Sequence, residues 1–225
     1  MRGSTITGIG RAIPSRVVTN AELAQWIDTT DEWIVTRTGI RERRVVEDNQ
    51  ASSDLAYDAA REALDDAGIG PEQVDLIIVG TATPDMLFPA TACILQDRLG
   101  ARQAGAFDLS AACSSWVYGA AVAHGYIASG MANTVLVVGA ETLSKIIDWR
   151  DRGTCVLFGD SAGAVVMSAT DPGQGFLSFY LGADGAGGDW IVLPGGGSRI
   201  PASLESVERR EHYLRMRGRE VFKFA

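Results

Sequence analysis

Val74-Asp75-Leu76-Ile77-Ile78-Val79-Gly80 is a short, branched, almost uninterrupted apolar run closed by glycine, the pattern of a strand buried on both faces of a parallel sheet. Helix and strand patterns alternate to either side of it. Upstream, Leu55, Ala59, Ala63, Leu64 and Ala67 recur at helical spacing from Ser52 and stop at Gly68, which predicts an amphipathic helix. Downstream, Pro89–Leu99 reads as a helix stopped by Gly100, Gly105–Leu109 as a strand, and Cys113–Ser129 as a long helix stopped by Gly130. Thr134–Gly139 and Ala164–Ser168 supply two more strands, and Thr5–Ile9 an early one. Such alternation predicts right-handed crossovers and an α/β fold with a mainly parallel sheet covered on both faces.

The flanks are read from their caps. Asn20 is expected to cap a helix over Ala21–Ile27, and Thr29 with Glu32 stands at capping-box spacing before Trp33-Ile34-Val35, with Gly39 closing that helix. Gly182–Gly197 reads as a long glycine-rich loop, and Glu211–Ala225 as a final helix without a stop signal.

Composition narrows the function classes. The chain has 225 residues, 46% of them hydrophobic, and a net charge of −8, which permits a large core and opposes general binding to nucleic-acid phosphates. Local arginine clusters at 37–44, 150–152 and 209–219 leave room for a smaller anionic partner. No signal-like start and no apolar run of about 18 residues is present, so a cytoplasmic protein outside the membrane is expected. Cys93, Cys113 and Cys155 form no paired motif and stand at no metal-ligand spacing from His124 or His212, so neither disulfides nor a metal is expected. Gly8-Ile9-Gly10-Arg11-Ala12-Ile13 lacks the last small residue of a dinucleotide fingerprint and runs into Pro14, and Gly195-Gly196-Gly197-Ser198 lacks the lysine of a phosphate-binding loop.

The chemistry is sought in Phe107-Asp108-Leu109-Ser110-Ala111-Ala112-Cys113. Small residues lead from a buried strand into the first turn of a long helix, where unpaired N–H groups and the helix dipole favour an anion and a carbonyl can approach the sulfur. Taken alone, the residue is equally readable as a small buried apolar side chain.

Four blocks carry a resemblance. Thr30-Asp31-Glu32-Trp33-Ile34-Val35-Thr36-Arg37-Thr38-Gly39-Ile40-Arg41-Glu42-Arg43, Phe107–Cys113, the pair Asp151-Arg152-Gly153-Thr154 and Phe158–Ala164, and Glu220-Val221-Phe222-Lys223 together resemble the β-ketoacyl-acyl-carrier-protein synthase III family of thiolase-fold condensing enzymes. The resemblance implies a layered αβαβα fold, with residues 1–170 forming a first βαβαβαββ half that carries the nucleophile and 171–225 the beginning of a second half. It also implies an acyltransferase that starts type II fatty acid synthesis by decarboxylating condensation of a short acyl-CoA with malonyl-acyl-carrier protein. Cys113 would be the nucleophile, its own N–H contributing to the oxyanion hole. Thr29, Trp33, Arg37, Arg152 and Gly218 would hold coenzyme A, which enters as a substrate carrier and not as a tightly held cofactor. Phe88, Leu143, Phe158 and Ile191 would line the acyl pocket, Phe88 reaching across a homodimer interface.

The family's catalytic histidine and asparagine blocks belong beyond residue 225, and neither is present; His124 and His212 match no catalytic position. The chain as given is therefore expected to accept an acyl group without completing a condensation. Ser115 stands where the family more often has glycine, and is expected to tune the pocket without loss of activity. The alternatives are a related polyketide, quinolone or hydroxymethylglutaryl-coenzyme A enzyme, or a non-catalytic fragment that dimerises.

Overall fold

A computed structural model describes residues 2–224. In chain order the strands are β1 (Gly3–Ala12), β2 (Arg16–Thr19), β3 (Glu42–Val45), β4 (Leu76–Gly80), β5 (Gly105–Leu109), β6 (Thr134–Thr142), β7 (Asp160–Thr170), β8 (Ile191–Val192) and β9 (Arg215–Met216). The helices are α1 (Asn20–Leu23), α2 (Asp31–Thr38), α3 (Ser52–Ala67), α4 (Thr91–Leu99), α5 (Ser115–Ser129), α6 (Arg152–Cys155), α7 (Leu204–Glu208) and α8 (Gly218–Phe224). They fall into two compact units, one of residues 1–15, 46–142 and 160–181, the other of 16–45, 143–159 and 182–225.

The first unit is built on a five-stranded sheet of order β1-β7-β6-β4-β5. Strand β4 runs parallel to both β5 and β6, whereas β7 is antiparallel to both β6 and β1. The sheet is thus mixed, which corrects the expectation of a mainly parallel one: an apolar run buried on both faces fixes burial but not the direction of the neighbouring strand. Successive side chains of β4 and β6 point to opposite faces. Ile77, Val79, Leu136 and Val138 meet Leu55, Ala59 and Ala63 of α3 and Leu95 of α4 on one side. Leu76, Ile78, Val135 and Val137 meet Ala120, Ala123 and Ile127 of α5 on the other. Alanines on the buried stripe of α3 let β1 come very close, so that a Cβ on Gly10 would stand 2.1 Å from the Ala59 carbonyl oxygen. Gly68, Gly100 and Gly130 end α3, α4 and α5 in the left-handed conformation, the stops expected of those glycines.

The second unit packs Val18, Leu23, Ile34, Val45, Ile147, Cys155 and Val156 into a core of its own. Strands β2 and β3, whose short polar stretches gave no alternation to read, pair antiparallel. Arg43 is buried between them and donates to the carbonyls of Val18 and Val156 and to the Asn20 amide oxygen. That buried role displaces Asn20 from the expected cap: Thr19 takes it, its Oγ1 accepting from the Glu22 N–H at 3.2 Å. One turn of helix follows, not seven residues. Likewise Thr30, not Thr29, caps α2, accepting from the Trp33 N–H at 3.1 Å. The expected final helix over 211–225 is also corrected. A left-handed Arg210 (φ 55°) turns the chain, β9 pairs with β8, and only Gly218–Phe224 is helical; Ala225 lies outside the described residues. Among the described residues no helix is long and apolar enough to cross a membrane.

Candidate active site

Strand β5 enters its last residues with Asp108 clamped. Its carboxylate accepts from the N–H groups of Thr91 and Ala92 at 2.8 and 2.7 Å, so a strand side chain caps α4 in place of a capping residue in the loop before it. That is why α4 begins at Thr91 and not at Pro89. Beyond Leu109 the chain reverses sharply. Ala111 has φ −143° and ψ 34°, and Ala112 has φ 46°, a left-handed conformation that is costly for a residue with a Cβ. A single 3-10 turn over Ala112–Ser114 then delivers Cys113, exposed, immediately ahead of α5. The long helix thus starts two residues later than the expected Cys113. Its N-cap, Ser114, makes no side-chain cap bond and the Ser115 N–H donates to the Ala112 carbonyl; the cysteine thus lies at the N-terminal end of a 15-residue helix, where the dipole favours negative charge.

The ends of β4 and β6 beside this turn carry a polar network that the sequence did not disclose. Ser52 donates to the Thr83 carbonyl at 2.6 Å and lies 3.0 Å from the Thr142 hydroxyl. Glu141 accepts from the Ala82 N–H and the Thr83 hydroxyl at 2.7 and 2.6 Å. Burial pushes its carboxyl above the ordinary range, with the Thr83 hydrogen bond opposing. This network fixes the base of segment 81–88, at whose far end Phe88 is 83% exposed between Leu87 and Pro89.

Within the second unit, Trp33 and Arg37 lie on α2 and Arg152 opens α6. The guanidinium carbons of Arg37 and Arg152 stand 4.5 and 4.6 Å from the Trp33 ring centroid. Arg152 is also held by the Asp28 carbonyl at 2.9 Å. Neither arginine makes an ion pair among the described residues, so two positive charges converge on one indole without a carboxylate to neutralise them. Next to Asp28, the Thr29 Oγ1 is buried without a hydrogen-bond partner. Gly218 opens α8, and a Cβ there would meet only the Met216 Cε, at 3.6 Å.

Of the four expected acyl-pocket residues, Leu143, Phe158 and Ile191 belong to the second unit and Phe88 to the first. Phe158 packs on the second unit's core, whereas Ile191 on β8 is exposed. His124 is bonded through Nδ1 to the Ser4 hydroxyl and His212 through Nε2 to that of Ser206, each at 2.8 Å. Cys155, the buried third thiol, is pushed up to about 11 by burial and by Asp151.

Residues 107–185 match the model of the 3-oxoacyl-[acyl-carrier-protein] synthase III family. The chain is 57% identical, over 98% of its length, to β-ketoacyl-[acyl-carrier-protein] synthase III of Symbiobacterium thermophilum, of which it covers 67%. It is 56% identical to the enzyme of that name from Caldanaerobacter subterraneus subsp. tengcongensis, again over 98% of its own length and covering 66% of the relative. The crystal structure of 3-oxoacyl-[acyl-carrier-protein] synthase III from Aquifex aeolicus superposes on 99% of the chain with a TM-score of 0.88 at 44% identity, 67% of that structure being covered. The chain thus spans about two thirds of the length of these proteins. Its thiolase-like α/β fold and its sequence place it in the β-ketoacyl-[acyl-carrier-protein] synthase III family.

Proposed function

We propose that this chain carries the acyl-accepting step of a decarboxylating condensation that starts type II fatty acid synthesis. The observation behind it is the presentation of Cys113 on a left-handed turn at the N-terminal end of α5. The Cys113 sulfur attacks the carbonyl of a short acyl-coenzyme A. The tetrahedral oxyanion then collapses, the carbon–sulfur bond to coenzyme A breaks, and the coenzyme leaves as a thiol that takes up the proton given up by Cys113. Backbone N–H groups of the turn, that of Cys113 among them, are the donors for the oxyanion. In the second step malonyl-acyl-carrier protein loses CO₂, its enolate attacks the acyl-cysteine, and Cys113 is released as the 3-ketoacyl-carrier protein forms. The histidine and asparagine that the resemblance assigns to that enolate have no counterpart in residues 1–225.

In this reading the unpaired guanidiniums of Arg37 and Arg152 at Trp33 receive the nucleotide phosphates of coenzyme A, with Thr29 and Gly218 along its path. Phe88, Leu143, Phe158 and Ile191 bound the acyl group. Residues 1–170 make up the nucleophile half of the thiolase fold, and 171–225 open the second half. The protein works as a homodimer paired through β5, the unpaired end of the five-stranded sheet, flanked by exposed Met86, Leu87 and Phe88. A cytoplasmic setting goes with three free cysteines.

Intact mass after incubation with acetyl-coenzyme A tests the acyl step. The protein is expected to gain one acetyl group, and the Cys113→Ser variant none. An unmodified wild-type protein that is folded would remove Cys113 from the role.

A further inference from the structure

Ser115 is 3% exposed, unusual for a hydroxyl in the first turn of a helix, where serine ordinarily faces water. Its Oγ accepts from the Ala111 N–H at 2.8 Å, and the Ala111 carbonyl in turn accepts from the Ser114 N–H at 3.1 Å. Both polar groups of Ala111 are thus taken by residues three and four positions later, and the loop so closed contains Ala112 and Cys113. From behind, the end of β4 holds the serine in place: a Cβ on Gly80 would stand 2.7 Å from the Ser115 Cβ. The next residue, Thr81, donates to the Leu109 carbonyl at 3.2 Å. Ala112 at φ 46° keeps that conformation only while its surroundings over-determine it.

We infer that Ser115 is a positioning residue for Cys113: its hydroxyl, seated against Gly80, holds the Ala111 amide and so keeps Ala112 left-handed and the nucleophile presented at the turn. This rests on the reading of Cys113 as the acyl acceptor. It also goes beyond the expectation that a serine here only tunes pocket size, because the side chain is turned into the fold and bonded to the nucleophile turn itself.

The test compares the purified protein with its Ser115→Ala and Ser115→Gly variants. The glycine variant carries the residue more common in the family at this position and removes the hydroxyl with least risk to folding. Iodoacetamide labelling of Cys113, followed by peptide mass at fixed pH, reads the cysteine without calling on acyl transfer. Both variants are expected to retain the wild-type circular dichroism while Cys113 labelling slows about fivefold, the effect of one lost neutral hydrogen bond on the held turn. Acetyl transfer from acetyl-coenzyme A should lose a similar factor in its maximal rate, with the half-saturating concentration unchanged. Wild-type labelling rates in the folded glycine variant overturn the inference. So does a slowing confined to an alanine variant that has lost its circular dichroism. A wild-type protein that is labelled at Cys113 but never acetylated refutes the acyl-transfer reading instead, and leaves the labelling rates to judge Ser115.

Discussion

The two edges of the five-stranded sheet are finished in opposite ways. On β1 three outward backbone groups are occupied: the Ile9 and Arg11 N–H groups by the carboxylates of Asp66 and Glu62 on α3, at 2.9 and 2.8 Å, and the Ser4 carbonyl by the Phe176 N–H at 2.9 Å. A register shift between Ile6 and Gly8 bends the strand as well. On β5, Gly105 donates to Asp75 and Leu109 accepts from Thr81, so these residues face β4, and Ala106 and Asp108 point outward. On that side the Cys93 thiol, a weak donor, lies 3.7 Å from the Ala106 oxygen. One edge is closed by its own helix and the other is left able to pair. A second copy of β5 is the occupant proposed above for that edge.

That contrast can be broken most sharply at Ala106. Ala106→Pro removes an outward N–H at a position where an edge strand tolerates proline, and is expected to convert the dimer to monomer in sedimentation velocity at micromolar concentration. A dimer unchanged by it would place the seam elsewhere. Next in size is a glycine comparison. Gly10→Ala on the closed edge drives a Cβ to 2.1 Å from the Ala59 oxygen and should cost about 3 kcal/mol in denaturant unfolding. Gly105→Ala on the open edge meets nothing closer than the Leu76 Cδ1 at 3.3 Å, so it should cost less than about 1 kcal/mol. Similar losses at the two positions would mean that the edges do not differ in their backing. The smallest effect is expected from the joint Glu62→Ala and Asp66→Ala change. It frees two exposed N–H groups and should lower the thermal midpoint by a few degrees, with light scattering rising as the second edge opens.

Much of this was legible in the chain. The helix stops were read from Gly39, Gly68, Gly100 and Gly130, because a left-handed cap leaves a local signature. The buried strands were read from Val74–Gly80 and Thr134–Gly139, because burial on both faces produces an apolar run; the first of them begins two residues later, at Leu76. Strand direction was not legible: the apolar runs of β6 and β7 are each compatible with a parallel or an antiparallel neighbour. The caps at Thr19 and Thr30 were each missed by one position, since neighbouring residues offer the same oxygen. Cys113 was singled out from small residues between a strand and a helix, but the left-handed Ala112 was not, because alanine carries no mark of that conformation. Ser115 was visible as a departure from the family pattern; that its hydroxyl turns inward depends on Gly80, 35 positions earlier in the chain. The Ser52, Thr83, Glu141 and Thr142 network spans three segments and leaves no periodic trace.

Asp108 has a mechanical consequence. One carboxylate rivets the first two amides of α4 to the strand that runs into the nucleophile turn, so α4 cannot slide along the sheet without dragging β5. Load applied to that helix is delivered through Asp108 five residues from Cys113.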